Sequence, residues 1–240
     1  MEYTLDTSIG DIVAHNIQTA RYFEGKGIDF CCGGRGTLED ACAQRSLNAE
    51  QVLEELRAIP LEGGRDVRQW STDFLIDFIV NTHHQYVRSM LPKIAEHAAK
   101  VAFRHGDTHP ETVEVEQLFL RLRDELAAHL IKEEQILFPY IRRLAAMERG
   151  EMDAQPAGFG SVAGPISVME AEHEGAGRIL ERMHAITDDL TPPADACATY
   201  TLLYREIAEF EQDLHMHIHL ENNVLHPRAF ALEQSVQALA

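Results

Sequence analysis

The chain has 240 residues, 45% of them apolar, which is enough to build the core of one large domain or two modest ones. Its 39 acidic residues outnumber 21 basic residues and give a formal net charge of −18, which repels phosphate backbones and anionic lipid headgroups. The N-terminus has no basic start, and no apolar stretch reaches the roughly eighteen residues of a membrane-spanning helix. These features disfavour nucleic acid and membrane partners and predict a cytoplasmic protein.

Residues 1–60 are predicted to form a small helical domain. Short helical patterns are interrupted by "GKG" and "CCGGRG", and "TLED" at 37–40 and "NAEQ" at 48–51 have capping-box spacing. These signals predict three short helices. A linker is expected over residues 61–70, which contain the sequence "EGGRD".

Long patterns with the 3.6-residue helical period follow the linker and predict one domain over residues 71–240. The four helices are expected at about 71–104, 110–148, 165–189 and 194–226. The longest connection falls between the second and third helices, so the chain resembles two helical hairpins docked together. We therefore expect an all-α fold in which an up-down four-helix bundle follows the small domain.

Thirteen histidines are the unusual feature of the composition, and the helical phase indicates which of them face inward. At 100° per residue, His129 and Glu133 both fall within the apolar stripe of the second helix. Glu134 falls off that stripe. Glu133 is therefore predicted to be the more deeply buried of the two adjacent carboxylates.

The fourth helix gives a stricter test because three of its histidines alternate along the sequence. His217 and Glu221 share the apolar stripe, whereas His215 and His219 point to the opposite side and are expected to face solvent. The pattern His-x3-Glu therefore occurs at inward positions in both the second and the fourth helix.

The first and third helices each contribute one inward histidine. His83 lies at the centre of the apolar stripe of the first helix, while His84 is rotated by about 100° towards its flank and is given no role. His173 shares the apolar face of the third helix. Each predicted hairpin thus offers one histidine followed by one His-x3-Glu pair.

A single histidine on an apolar face is usually a core residue with a satisfied hydrogen bond, but six matching positions favour a metal site. Two carboxylates buried in one core would repel each other unless a cation neutralised them. Imidazole and carboxylate ligands without thiolate favour iron or manganese over structural zinc or calcium. Two octahedral ions have about twelve coordination positions. If each ion takes two histidines and both glutamates bridge the ions, the six side chains fill about eight of these positions and leave room for a bridging oxo group, water or a small ligand. The residues favour two metal ions over one without deciding the number.

The segments "TH" at 82–83, "HLIKEEQILFP" at 129–139, "VMEAEH" at 168–173 and "HIHLENNVLHPRA" at 217–229 resemble the hemerythrin-like domain of the iron–sulfur cluster repair di-iron proteins, the repair-of-iron-centres family. "GIDFCCGGRGTLEDAC" is similar to the small N-terminal domain of that family, so the resemblance covers nearly the whole chain. It implies two non-haem iron ions, with an oxo or hydroxo bridge, held by the following ligands: His83, His129, Glu133, His173, His217 and Glu221.

The resemblance also implies a function in repairing or protecting iron–sulfur clusters damaged by oxidative or nitrosative stress, by supplying iron or electrons. Damaged iron–sulfur proteins and small ligands such as nitric oxide or oxygen are the implied partners. Two alternatives use the same centre: a nitric oxide reductase, or a sensor of oxygen, nitric oxide or iron. Oxygen-carrying hemerythrins have a His-x3-His pair that is missing from the inward positions here, which argues against simple oxygen carriage. The resemblance leaves open whether the protein turns over as an enzyme or donates iron stoichiometrically. It also leaves open whether the protein is a monomer or a dimer.

The adjacent Cys31 and Cys32 allow two interpretations. They could simply begin a glycine-rich turn with one thiol packed beneath it, or they could form an exposed pair that meets an iron centre or a partner. Adjacent thiols rarely form a mutual disulfide without strain, but both can bind a soft metal or undergo exchange. The family resemblance favours a transfer or docking role for the pair. Cys42 and Cys197 are expected to be packing residues.

Glu125 and Glu170 each lie one helical turn before a predicted ligand, His129 and His173 respectively. Either carboxylate could accept a hydrogen bond from an imidazole N–H, or line a polar path by which iron or a small ligand reaches the centre. The alternative is a carboxylate at the solvated margin of the bundle.

Overall fold

The computed structural model describes residues 2–61, 66–153 and 160–239. Within those ranges it has eight helical runs and no strand, which confirms the predicted all-α fold class. Part of the predicted linker, residues 62–65, lies outside the described residues. No helix in the described ranges combines the length and the apolar character that a crossing of the bilayer requires.

The small N-terminal region contains four short helices, one more than predicted. They are α1 (Ile9–His15), α2 (Thr19–Gly25), α3 (Leu38–Gln44) and α4 (Ala49–Arg57). The predicted caps at Thr37 and Asn48 are confirmed, because each side chain accepts a hydrogen bond from a backbone N–H of the first helical turn. The additional helix arises at Asn16, whose extended backbone ends α1 and whose side-chain oxygen accepts the N–H of Gln18.

Four longer helical runs follow a 3₁₀ turn at Val67–Gln69. Helix α5 has the α-helical parts Thr72–Phe78 and Gln85–His105 on either side of the π segment Ile79–His84. Helix α6 has Glu111–Lys132 and Phe138–Glu148 on either side of the π segment Glu133–Leu137, and α7 is Ala163–Ile186. Helix α8 has Ala198–His219 and His226–Leu239 on either side of the π segment Leu220–Leu225.

The π segments explain why α8 continues past its predicted end at residue 226. In each of α6 and α8 the segment closes on a bond spanning five residues, from the Phe138 N–H to the Glu133 carbonyl and from the His226 N–H to the Glu221 carbonyl. A proline follows each bond, and a proline normally ends or kinks a helix because its ring meets the preceding turn. The wider turn gives that ring room, so the helix continues.

The described chain divides into two compact units. The bundle unit comprises Val80–Pro139 and Ser167–Leu214, and the terminal unit comprises Met1–Ile79, Tyr140–Ile166 and His215–Ala240. In the bundle unit, segments of all four long helices pack together. Phe119 of α6 meets Phe210 of α8 edge to face with ring centroids 6.0 Å apart, and the His97 imidazole of α5 lies 2.6 Å from the Glu206 carboxylate of α8. His129 of α6 also meets His173 of α7 with ring centroids 4.7 Å apart, so segments of all four long helices contact one another within this unit.

The terminal unit joins the small helices to the outer segments of α5, α6 and α8. Its apolar interior includes Ile12, Phe23 and Phe30. Arg142 donates to the Asp73 and Asp77 carboxylates, at 3.1 and 2.6 Å. These ion pairs join the outer segments of α5 and α6, and the Asn223 amide of α8 donates to the Phe30 carbonyl of the small region over 3.1 Å.

Candidate metal centre

Three buried side chains of the bundle unit face one another at the π segment of α6. The Nε2 atoms of His129 and His173 are 3.0 Å apart, and a Glu133 carboxylate oxygen lies 3.3 Å from His129 Nε2. Potential ligand atoms of all three residues lie within 4.8 Å of one another. Their predicted inward direction is confirmed by their burial, and Glu134 is the more exposed carboxylate, as the helical phase predicts.

A carboxylate on the neighbouring helix orients one of these imidazoles. His129 Nδ1–H donates to Glu172 of α7 over 2.9 Å, and Lys132 donates to the other oxygen of the same carboxylate. Although burial alone raises the pKa of Glu172, hydrogen bonds from Lys132 and His129 outweigh it and hold that pKa below its usual range. Because Nδ1 carries the proton, the Nε2 lone pair of His129 points to the cluster and is available to a cation.

His83 and His84 are both buried, although the sequence prediction placed only His83 in the interior. They are 5% and 0% exposed. His84 Nδ1–H donates to Glu134 over 2.7 Å, and its Nε2 lies 3.4 Å from a Glu133 oxygen. His83 Nδ1–H donates instead to Asp213 of α8 over 2.9 Å. The expectation that His84 lies on the flank of the helix is therefore wrong.

The π segment of α5 gives the physical reason. It inserts one residue into the turn, which delays the rotation of the helix by about 100° relative to a regular α-helix. His84 consequently takes the angular position that a regular helix would give to His83.

The terminal unit contains the second predicted His-x3-Glu pair. His217 and Glu221 are both fully buried, and His217 Nε2 lies 2.9 Å from a Glu221 carboxylate oxygen. As in α6, the glutamate belongs to a π segment, and such segments are frequent at functional sites.

His219 is fully buried, so the expectation that it faces solvent is wrong, while His215 is partly exposed. The reason is tertiary, because Phe30 of the small region packs against the His219 ring with centroids 5.7 Å apart. Burial lowers the pKa of His219 to about 4. Its imidazole is therefore neutral at physiological pH.

Cys31 and Cys32 lie in a loop of the terminal unit that folds around one carboxylate. Asp29 accepts the backbone N–H groups of Cys31, Cys32 and Gly33 and also the Cys31 thiol, at distances of 2.9 to 3.1 Å. Cys31 is buried and Cys32 is exposed, so the two thiols are not equivalent. Cys42 is buried as expected for a packing residue. Cys197 is exposed, which contradicts the same expectation for it.

Glu125 and Glu170, the carboxylates one turn before His129 and His173, differ in their surroundings. Glu125 is partly exposed and accepts a hydrogen bond from Arg121 over 2.7 Å. Glu170 is half-buried. The acceptor at His129 Nδ1 is Glu172, which the sequence reasoning missed even though it lies in the same "VMEAEH" segment.

The donor set and its spacing fit a metal cation. Neighbouring donors of an octahedral ion with bonds of about 2.1 Å lie about 3 Å apart, close to the 3.0 to 3.4 Å separations among His84, His129, Glu133 and His173. A fully buried carboxylate such as Glu133 also requires a nearby positive charge.

Comparison with known proteins supports the same conclusion. Residues 75–229 match the hemerythrin HHE cation binding domain, and residues 5–60 match a domain of unknown function, DUF542. The iron-sulfur cluster repair protein YtfE of Enterobacter sp. (strain 638) is 38% identical over 232 residues, which cover 95% of this chain and 98% of that protein. The proteins of the same name from Escherichia coli O8 (strain IAI1) and Citrobacter koseri show the same identity and coverage.

The chain belongs to the iron–sulfur cluster repair protein family. The predicted family is thus confirmed, together with a hemerythrin-like, metal-binding helical bundle. The matched domain includes all six histidines and glutamates that the sequence reasoning selected, as well as His84 and Glu172.

Proposed function

We propose that this protein holds a non-haem di-iron centre and uses it to repair or protect iron–sulfur clusters damaged by oxidative or nitrosative stress. The observation that carries the proposal is a buried histidine–carboxylate cluster inside a cation-binding domain, in a chain that aligns along 95% of its length with proteins named for cluster repair. Damaged iron–sulfur proteins are the proposed partners.

Two iron ions joined by an oxo or hydroxo bridge are the proposed cofactor. The ligand set lacks thiolate and contains two fully buried glutamates, Glu133 and Glu221, which suits two hard or borderline cations better than one. His129, His173 and His217 are proposed as further ligands. His83 was the sixth ligand predicted from sequence, but the burial of His84 and its approach to Glu133 support His84 in that position.

Two carboxylates of the chain would keep the ligand imidazoles oriented towards the metal. Glu172 and Glu134 hold the Nδ1 protons of His129 and His84, so each Nε2 lone pair stays directed at the metal. Bound iron supplies transferable iron or electrons and an attachment point for nitric oxide or oxygen. Glu125 and Glu170 remain proposed as polar residues along a path to the centre.

Residues 1–60 are proposed to form a docking and transfer domain that acts through Cys31 and Cys32, and residues 71–240 to form the iron-holding bundle, with residues 61–70 as the linker. All four cysteines are free thiols, which supports action in the reducing cytoplasm. Changing both Cys31 and Cys32 to serine is expected to abolish repair while nitric oxide chemistry at the iron is retained. Retention of both activities in that variant would favour the nitric oxide reductase alternative, because that activity needs only the iron centre.

Mössbauer spectroscopy of protein loaded with ⁵⁷Fe tests the cofactor directly. Antiferromagnetic coupling is expected because bridging ligands couple the spins of the two iron ions, and a spectrum of isolated ions would contradict two bridged irons. The double variant Glu133→Leu/Glu221→Leu is expected to lose at least one iron while helicity measured by circular dichroism is retained. Full iron content in that variant would refute the bridging roles.

Variants of the two adjacent histidines of α5 can be compared to identify the sixth ligand. His84→Ala is expected to lower iron content, whereas His83→Ala is expected to retain most of it, because only His84 directs Nε2 towards Glu133. Iron analysis by mass spectrometry checks both variants, and the reverse result would restore His83 as the ligand.

A further inference from the structure

The loop that contains the adjacent cysteines presents three potential metal ligands at one point. A carboxylate oxygen of Asp29 and the sulfur atoms of Cys31 and Cys32 all lie within 4.8 Å of one another. This cluster belongs entirely to the terminal unit and shares no residue with the histidine–carboxylate cluster. An exposed cysteine at its edge makes the cluster accessible from solvent.

The loop is held in this shape before any ion binds. Three successive backbone N–H groups, those of Cys31, Cys32 and Gly33, donate to the Asp29 carboxylate and fix its position beneath the thiols. Because the ligands are already convergent, little conformational entropy would be lost on binding a cation.

We propose that Asp29, Cys31 and Cys32 form a second cation site, distinct from the di-iron centre, which takes one ferrous ion as it leaves or enters the protein. The inference rests on the proposed role in iron supply and specifies where the transferred ion is held. Two thiolates and one carboxylate are suitable ligands for a borderline cation such as Fe²⁺, and a fourth position stays open to water or to a thiolate of the acceptor protein.

Binding at this site involves proton release without oxidation or reduction. Each thiol loses one proton to solvent as its sulfur bonds to the ion, so one Fe²⁺ replaces two H⁺. The Cys31 S–H now donates to Asp29 over 3.1 Å. After deprotonation that contact would place a thiolate against a carboxylate, and the bound cation is what offsets their repulsion.

The loop is attached to the helix that carries Glu221. The Asn223 side-chain amide of α8 donates to the carbonyls of Phe30 and Cys31, at 3.1 and 2.9 Å. Gly10 and Gly34 leave room for that side chain, since a Cβ on Gly34 would lie 2.5 Å from Asn223 Oδ1. The second site is therefore anchored two residues along the chain from a proposed iron ligand.

Co²⁺ titration of the iron-loaded protein tests the site, with thiolate-to-cobalt charge-transfer absorbance as the readout and Fe²⁺ as the competitor. The wild type is expected to bind one Co²⁺ per chain at this site. Cys32→Ser is expected to weaken binding by about 100-fold, because one of two thiolates is lost. Asp29→Asn keeps a side-chain carbonyl but loses the charge, and is expected to weaken binding by about 10-fold.

Cys197→Ser is the matched control, since Cys197 is the other exposed thiol and lies in the bundle unit. It is expected to bind Co²⁺ as the wild type does. Unchanged absorbance in Cys32→Ser, or loss of it in Cys197→Ser, would overturn the proposal. Mössbauer spectra separate this inference from the proposed function, because Cys32→Ser should retain the coupled iron signal. Loss of that signal in Cys32→Ser, with helicity intact, would show that the two sites are not distinct.

Discussion

The segments "HLIKEEQILFP" at 129–139 and "HIHLENNVLHP" at 217–227 have the same motif but different surroundings. Each buries a histidine and a glutamate, each contains a π segment and each continues through a proline. The residues after the glutamate differ. Glu134 accepts hydrogen bonds from His84 and Arg88, and Gln135 is exposed, whereas Asn223, at the position matching Gln135, donates to the cysteine loop.

This difference shows that the motif and its environment have separate roles. The shared spacing places two potential ligands on one helical face. The neighbouring residues determine what the ligand-bearing turn is attached to: ionic side chains in α6, and a backbone loop with two thiols in α8. The first attachment depends on charge and the second on shape and neutral hydrogen bonds, so substitutions can separate them.

The largest expected effect on stability comes from Gly34→Ala, which fills the space occupied by the Asn223 side chain of α8. In Gly34→Ala the new Cβ would lie 2.5 Å from Asn223 Oδ1 and 2.6 Å from the Phe30 carbonyl oxygen. We expect the free energy of unfolding to fall by about 3 kcal/mol, near the upper end for overpacking. Urea denaturation checks this value. Gly25→Ala, where a Cβ meets nothing within 4 Å, is the control and should leave stability nearly unchanged.

The α6 segment is expected to respond most strongly to loss of the carboxylate that orients His129. Glu172→Ala should lower metal affinity by about 10- to 100-fold, because the imidazole loses its fixed orientation and tautomer. Competition with a chelator measures the affinity. Glu174→Ala, on the same helix but exposed and 3.7 Å from Arg178, should leave affinity unchanged. Equal losses in both variants would contradict an orienting role for Glu172.

Asn223 and Gln135 allow a direct comparison of matching positions. Asn223→Ala leaves the Phe30 and Cys31 carbonyls without their side-chain donor, so we expect a loss of about 1.5 kcal/mol of stability. Gln135→Ala should change stability by less than about 0.5 kcal/mol because its side chain is exposed. Urea denaturation of both variants measures the difference, and similar values would remove the distinction between the two segments.

A change of salt concentration should produce the smallest effect on stability. It should weaken the ionic contacts of α6 but not the neutral hydrogen bonds of α8. The partly exposed Arg88–Glu134 pair is expected to contribute less than about 1 kcal/mol, and less again when salt rises from about 0.1 M to 1 M. The contribution of Asn223 should stay constant, because the amide carries no charge. A double-mutant cycle on Arg88 and Glu134 and the stability lost in Asn223→Ala, both measured at each salt concentration, test this. A salt-dependent loss in Asn223→Ala would contradict the assignment.

The helical period predicted much of the fold because buried residues repeat every 3.6 positions along an amphipathic helix. It identified four long helices and the inward direction of His129, Glu133, His173, His217 and Glu221, all confirmed by burial. It misplaced His84 because the π segment of α5 changes the phase within one turn. It also ended α8 too early because Pro227 is compatible with a helix after a π segment.

The sequence by itself determined the helical class, the two His-x3-Glu pairs and the family resemblance, because each depends on spacing along one chain segment. Only the tertiary structure showed that Glu172 orients His129, that Phe30 covers His219 and that Asn223 anchors the cysteine loop. These contacts join residues 43 to 192 positions apart, as in His129–Glu172 and Cys31–Asn223. No local pattern records such contacts, because they form only when distant helices pack together.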